Sequence, residues 1–254
     1  MKISPSLFSK NLRQIKNNPP EVVILPWGAT ETHGQHLPYA SDVIQSYEIS
    51  ILATKKANDS GGKCVVLPAI PFGNDAQQLD SFCTIHLNSI TAFHILDDVC
   101  ASLKKQNMSK LLLVNSHGGN NFKPFIRDLQ LKHEILILLV DLHLMIPEKV
   151  KEIFSDYGDH SGEIETSLMM YLKPESVDKN FGDGKRVPFA KSSFTQSGVW
   201  TPRPWKESHP DFGAGNPINS SKEKGELYCN LLIDRLSQII VEFTEIKKGE
   251  IPFV

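Results

Sequence analysis

Four short, unbroken apolar runs constrain this chain more than any other feature: Val22-Val23-Ile24-Leu25, Cys64-Val65-Val66-Leu67, Leu111-Leu112-Leu113-Val114 and Ile135-Leu136-Ile137-Leu138-Leu139-Val140. None alternates apolar with polar, which is the pattern of strands covered on both faces. Between them lie segments of helical period, carried by Ile44, Tyr47 and Ile51, then by Phe93, Leu96, Cys100 and Leu103, then by an ambiguous stretch through Phe125 and Leu129. Strand alternating with helix predicts an α/β fold, a mainly parallel sheet with helices on both sides. After Val140 the pattern loosens. Residues 178–219 are rich in proline and glycine without periodicity, and read as a long excursion or lid. A last amphipathic helix follows, with Ser220 and Glu223 in capping-box spacing and Leu232, Leu236, Ile239, Ile240 and Phe243 at core spacing. The expectation is one domain over residues 1–254.

Composition narrows the function classes. The 254 residues carry 27 basic and 29 acidic side chains, a net charge of -2, and no long basic run, so a partner bound through nucleic-acid phosphates is not expected. An apolar fraction of 40% argues against disorder. Cys64, Cys83, Cys100 and Cys229 are too far apart for a zinc ribbon or a redox pair, and read as reduced, mostly buried thiols of a cytoplasmic protein. The polar first twenty residues lack the apolar stretch of a signal peptide, and no run approaches the roughly 18 apolar residues of a membrane span. Nine histidines remain to be explained.

In an open parallel sheet, ligands bind beyond the carboxyl ends of the strands. The first run is followed by Pro26-Trp27-Gly28-Ala29-Thr30-Glu31-Thr32-His33-Gly34-Gln35-His36-Leu37-Pro38 and then Asp42. The third is followed by Asn115-Ser116-His117-Gly118-Gly119-Asn120-Asn121, the fourth by Asp141-Leu142-His143. Glu31 and His33 flank one residue, so in extended backbone both point to one side. Asp42 can be a ligand or the N-cap of the first helix. The glycine-rich turn at 118–119 can bring backbone close to a metal site or cradle a phosphate, although it has neither Walker A nor dinucleotide spacing. Carboxylate, imidazole, carboxylate and a further imidazole converge at strand ends, a donor set suited to a divalent ion.

A further group comes from the segment 159–172. As a helix, Ile164, Leu168, Tyr171 and Leu172 form one apolar stripe. Glu165 falls at the edge of that stripe, while Glu163 points to the opposite, polar side and reads as solvated or as a helix-start charge favoured by the dipole. A carboxylate at the edge of a core needs a cation, so Glu165 takes a metal or a Lys or Arg partner.

Together these residues resemble a known family. Gly28 to Pro38 with Asp42 resembles the opening motif of the creatininase (creatinine amidohydrolase) family, Asn115 to Asn120 its second motif, and His160-Ser161-Gly162-Glu163-Ile164-Glu165-Thr166-Ser167 its third. Weaker similarity runs through Gly73 to Leu87 and Gly213 to Pro217. The resemblance implies a three-layer α/β/α sandwich with a dinuclear metal site that hydrolyses carbon–nitrogen bonds. It makes Glu31, His33, Asp42 and His117 metal ligands, with Asp42 bridging two ions. Gly119 stands where creatininase proper has a glutamate ligand, and Gly118 where it has an aromatic residue. Glu165 then completes the second ion's shell.

The implied activity is hydrolysis of a small-molecule amide, a creatinine-like cyclic amide or a formamide, through a metal-activated water. Peptide-bond cleavage in the maturation of a peptide-derived cofactor is the alternative within the family, and a ligand-binding protein without turnover is the rival outside it. Two divalent ions are expected, zinc first, with iron and manganese also suited to these ligands. His160 is the candidate to carry a proton to the leaving nitrogen, or else it supports the helix start. His36 reads as structural and His143 as lining the site. Trp200 and Trp205 form an aromatic lid or simply pack. The resemblance also implies a homo-oligomer, hexameric in creatininase.

Overall fold

A computed structural model of the protein describes residues 4–158, 160–247 and 250. Asp159, which precedes the third motif, lies outside the described residues. The apolar runs form β1 (Val22–Trp27), β2 (Cys64–Val66), β3 (Lys110–Asn115) and β4 (Leu136–Asp141), paired in parallel in the order β2-β1-β3-β4. The helices are α1 (Leu12–Asn17), α2 (Ser41–Asp59), α3 (Ser89–Lys105), α4 (Lys123–His133), α5 (Pro147–Ile153), α6 (Glu163–Leu172), the single turn α7 (Trp205–Ser208) and α8 (Lys222–Glu245). The ambiguous stretch through Phe125 and Leu129 is thus a helix, opened by a proline in its first turn.

Successive strand residues serve opposite faces. Val22, Ile24, Val66, Leu112 and Val114 join Ile49, Leu168, Leu232, Leu236 and Ile240 in one core, while Val23, Leu25, Trp27, Leu111 and Leu113 join Leu96, Cys100, Phe122 and Leu129 in the other. The result is the expected three-layer α/β/α sandwich, with α2, α6 and α8 on one side and α3 and α4 on the other. Each such aliphatic side chain, fully buried, contributes about 1.5–3 kcal/mol relative to an exposed one, which is why both periods of every central strand are apolar.

The strand order has a functional consequence. From β1 the chain crosses to β2 on one side; from β2 it returns past β1 to β3 on the other. The direction of winding therefore reverses between β1 and β3, and at that reversal the loops beyond the carboxyl ends diverge and leave a crevice. The loops carrying Glu31, His33 and His117 leave from these two strands.

Three details depart from the sequence reading. β4 is an edge strand, so it is not enclosed on all sides, and Leu138 is half-exposed. The fully buried face of α2 is not Ile44, Tyr47 and Ile51 but Gln45, Ser46, Ile49, Ser50, Ala53 and Ala57, all but Ile49 small or polar groups. The cap of α8 is Ser221, whose side chain accepts from Lys224 N, one residue beyond the expected Ser220. The four cysteines are free and, as expected, mostly buried, with Cys83 exposed. Residues 178–219 are largely irregular apart from short helical turns, as expected, and return to lay Ala214 against His160.

Candidate metal centre

Beyond β1 the chain turns back at 33–37, where Gly34 adopts φ +58° and Leu37 N donates to the His33 carbonyl. A side chain at 34 would also meet Ser161 Oγ at 2.9 Å. This reversal folds Glu31 and His33 under the first turn of α2, which presents Asp42. Asp42 is not the N-cap: that position is Ala40, with no side-chain cap, and Asp42 sits within the first turn aimed into the crevice.

One carboxylate joins two clusters. Asp42 Oδ2 lies 3.1 Å from His117 Nδ1, which is 2.8 Å from Glu31 Oε1. Asp42 Oδ1 lies 3.2 Å from His33 Nε2, which is 3.9 Å from Glu165 Oε1. Glu31, Asp42 and His117 bring one ligand atom each within 4.8 Å of one another, as do His33, Asp42 and Glu165, and Glu31, His33 and His160. All six residues are buried. No lysine or arginine among the described residues pairs with Glu31, Asp42 or Glu165, so these carboxylates have only imidazoles for counter-charge.

The electrostatics follow from that crowding. Burial pushes Glu31 up to about 7 despite the neighbouring His117 and His33. Burial opposes charging His33, but Asp42, Glu165 and Glu31 outweigh it and raise the imidazole to about 10. His117 likewise rises well above the ordinary range: burial opposes its charge, and Glu31, Asp42 and Asp75 overcome it. Burial also works against ionising Asp42, yet His33 and His117 hold it well below the usual carboxylate range. In the absence of metal, protons on His33 and His117 supply the positive charge. A donor set that recruits protons for this purpose is chemically suited to exchange them for divalent cations.

Each imidazole is oriented by its other nitrogen. His33 Nδ1 lies 3.2 Å from the Glu31 carbonyl, and His160 Nε2 donates to the Thr32 carbonyl at 2.7 Å. With that N–H committed, His160 turns Nδ1 toward Glu31 Oε1, 3.9 Å away. Its ring packs between His33 and Trp205, with centroids 4.3 and 4.7 Å away, and burial beside His33 lowers its pKa well below the ordinary value. Trp205 is buried against it, whereas Trp200 is exposed, so the two tryptophans do not form a common lid.

The two glutamates of α6 separate, but not as the helical wheel implied. Glu165 faces the crevice and accepts from Ser161 N at 2.5 Å, with His143 Nε2 at 3.7 Å. Glu163 is not solvated. It is fully buried, pairs with Lys224 of α8, and accepts from Ser155 N, Ser155 Oγ and Asp156 N at 2.9, 2.7 and 2.8 Å. Burial opposes its charge, but these donors together lower its pKa. The wheel assumed one buried face, whereas α8 and the 155–156 loop cover the other.

His36 is buried and bonded to Thr166 Oγ1 at 2.8 Å, a structural placement. In the turn after β3, Asn115 Nδ2 donates to Asp141 Oδ1 and to the His117 carbonyl, and the N–H groups of 116, 117 and 120 are used internally. These bonds seat His117 in the turn. Sequence reasoning missed Asp75 and Gln78, both buried: Gln78 donates to Glu31 Oε2, and Asp75 Oδ1 stands 3.0 Å from His117 Nε2. They lie in the loop after β2, another strand end that the same topological argument covers. Beside the clusters opens a cavity of about 590 Å³, lined by Gly118, His143, Leu144, Val150, Tyr157 and Ile164 among others.

Buried carboxylates and imidazoles at the reversal of a parallel sheet, sharing one central aspartate, define a metal-dependent hydrolase. The sequence profile of the family described as Creatininase: Creatinine amidohydrolase matches residues 7–240, and the chain belongs to that family. Creatinine amidohydrolase of Pseudomonas putida is 25% identical over 243 residues, covering 87% of this chain and 89% of that protein. Mycofactocin precursor peptide peptidase of Mycolicibacterium smegmatis is also 25% identical, over 172 residues, 67% of this chain and 65% of the relative. The crystal structure of a candidate creatinine amidohydrolase from Bacteroides fragilis NCTC 9343 superimposes with a TM-score of 0.92 at 37% identity, covering 98% of this chain and 100% of that one. Creatininase structures described as Mn and as Zn-Zn type share the fold at TM-scores of 0.76 and 0.74 with 20% identity, covering 94 and 95% of this chain and 98% of each of those.

Proposed function

We propose that this metal-dependent amidohydrolase holds two divalent ions, one by Glu31, Asp42 and His117 and the other by His33, Asp42 and Glu165, and hydrolyses a small-molecule amide. The observation that carries the reading is the division of Asp42, one oxygen to each cluster, in a buried set of carboxylates with no lysine or arginine. When bound, such a pair of ions supplies an activated water and polarises the amide carbonyl. Zinc and manganese both suit these donors, and similar creatininase structures are described as Mn and Zn-Zn forms.

The chain's own residues do the rest. His160, its Nε2 proton tied to the Thr32 carbonyl, offers the Nδ1 lone pair to the site. It accepts the proton lost by the attacking water and returns it to the leaving nitrogen. Trp205 and His33 fix the plane of its ring. Leu144, Val150 and Ile164 give the cavity an apolar side against which a substrate can pack.

A second reading, cleavage of a peptide bond, draws on the cavity. At about 590 Å³ it falls in the range for ligands well above the size of creatinine, and Gly118 opens onto it with no side chain. The P. putida relative is named for creatinine and the M. smegmatis relative for a precursor peptide, so each supports one reading. The test is metal analysis followed by turnover. We expect about two divalent ions per chain, loss of activity with chelator, and hydrolysis of one member of a panel containing creatinine, a formylated pyrimidine nucleotide and short peptides. A protein that binds no divalent metal tightly would overturn the reading. Cytoplasmic location and a homo-oligomer belong with this proposal; among the described residues no helix is long and apolar enough to cross a membrane.

A further inference from the structure

Of the three imidazoles facing the clusters, His117 is held differently. His33 and His160 each have a backbone carbonyl on the nitrogen turned away from the centre. His117 Nε2 has the Asn74 carbonyl at 3.2 Å and, in addition, a carboxylate oxygen of Asp75 at 3.0 Å. Asp75 is 1% exposed, and neither of its oxygens has a well-aligned hydrogen-bond donor among the described residues; His117 Nε2 is in ion-pair contact, while the Asn74 carbonyl takes the aligned hydrogen bond. A buried carboxylate without a lysine, arginine or backbone N–H partner is costly, and here its one available partner is the imidazole.

The surroundings keep the two together. Asn120, from the turn after β3, accepts from Asn74 N at 3.1 Å and donates to Asn115 Oδ1 at 3.0 Å, so the loop after β2 is tied to the loop that carries His117. Glycine is required on both sides of the ring. A Cβ at Gly73 would meet His117 Cδ2 at 2.7 Å, and one at Gly119 would meet Asn74 O at 2.3 Å and His117 Nε2 at 2.4 Å. Positions 73 and 119 are therefore given over to seating His117 against the loop after β2.

We infer that Asp75 is a positioning residue: its carboxylate, 3.0 Å from His117 Nε2, reinforces the N–H that the Asn74 carbonyl accepts, favours the tautomer whose Nδ1 lone pair faces Glu31 and Asp42, and makes that nitrogen a better donor to a divalent cation. The inference rests on the proposed role of His117 as a ligand. Carboxylate partners of ligating histidines typically change metal affinity by about 10- to 100-fold.

The test is zinc affinity by chelator competition on the full chain, with the visible absorption of the cobalt-substituted protein as a second readout. Wild type, Asp75→Asn, Asp75→Ala and His117→Ala are compared, with melting of each metal-free protein as a control for folding. We expect Asp75→Ala to weaken zinc at one of the two sites by about 10- to 100-fold and to alter the cobalt spectrum. Asp75→Asn, which keeps an acceptor but loses the charge, should fall between it and wild type. Should Asp75→Ala not fold, the isosteric Asp75→Asn carries the test alone through both readouts. Zinc affinity within twofold of wild type and an unchanged cobalt spectrum in the Asp75 variants, while His117→Ala loses metal, would overturn the positioning role alone. Unchanged metal binding in His117→Ala would overturn the ligand assignment beneath it.

Discussion

Glu163 and Glu165, two residues apart on α6, should fail in opposite ways. Glu163 is fully buried, with Lys224 and three further donors from Ser155 and Asp156 on its oxygens. Glu163→Gln keeps the size and one acceptor oxygen but removes the charge shared with Lys224. Breaking a buried pair by neutralising one partner costs about 3–5 kcal/mol; because Lys224 is partly exposed and can rehydrate, the lower end, about 3 kcal/mol, applies. In a chain of this size about 3 kcal/mol lowers Tm by roughly 6–12 °C. Metal stoichiometry should stay at wild type, because no atom of Glu163 belongs to either cluster. Glu165→Gln should do the reverse: its Oε1 faces His33 and His143, and its loss should remove the second ion while shifting the Tm of the metal-free protein by less than a few degrees. The assay is thermal unfolding of metal-free protein alongside metal analysis of the loaded one. If Glu163→Gln strips an ion without lowering Tm, the assignment of the two carboxylates is wrong.

Three further outcomes follow from the geometry. Asp42→Asn should reduce the metal content from two ions to well below one, since its oxygens serve both clusters; retention of one full equivalent, by metal analysis, would refute the shared position. His160→Ala should keep both ions while lowering kcat by about 10²- to 10⁴-fold on whichever amide is turned over, and loss of metal instead would make His160 a ligand rather than a proton carrier. The metal-free protein should become less stable as pH rises: Glu31 and His33 bind protons more tightly folded than unfolded, so their contribution is complete below about 4.5 and 6.5 and is lost through about 7 and 10 respectively. Melting curves from pH 6 to 9.5, with and without zinc, check this, and a metal-free Tm that climbs with pH would contradict it.

Much of the site was legible in the sequence because strands buried on both faces must be written as unbroken apolar runs. Once those runs are found, the residues just past them are candidates without further information. That logic found Glu31, His33 and His117, and periodicity within α6 placed Glu165 near the core. It did not extend to Glu163, because a helical wheel reports which face is apolar and not which is covered. A charged residue can be buried wherever a second helix brings a lysine, as α8 does with Lys224. It left Asp42 open between a ligand and the N-cap of α2 for a similar reason: Asp42 carries a side chain suited to capping, but its two oxygens are claimed by imidazoles from loops nine residues earlier and 75 residues later.

The apolar runs, the helical periods between them and the three motifs by themselves determined the layered α/β fold, the family resemblance and the donor types at the strand ends. These are local properties, fixed by side-chain period and residue chemistry. Tertiary structure alone decided which oxygen of Asp42 meets which imidazole, that His160 turns Nδ1 inward, and that Asp75 lies behind His117. Those relations depend on the reversal of winding between β1 and β3, which brings loops distant in sequence to one crevice. Hydrogen bonds a few ångströms long are made or lost by loop conformations that no local pattern encodes.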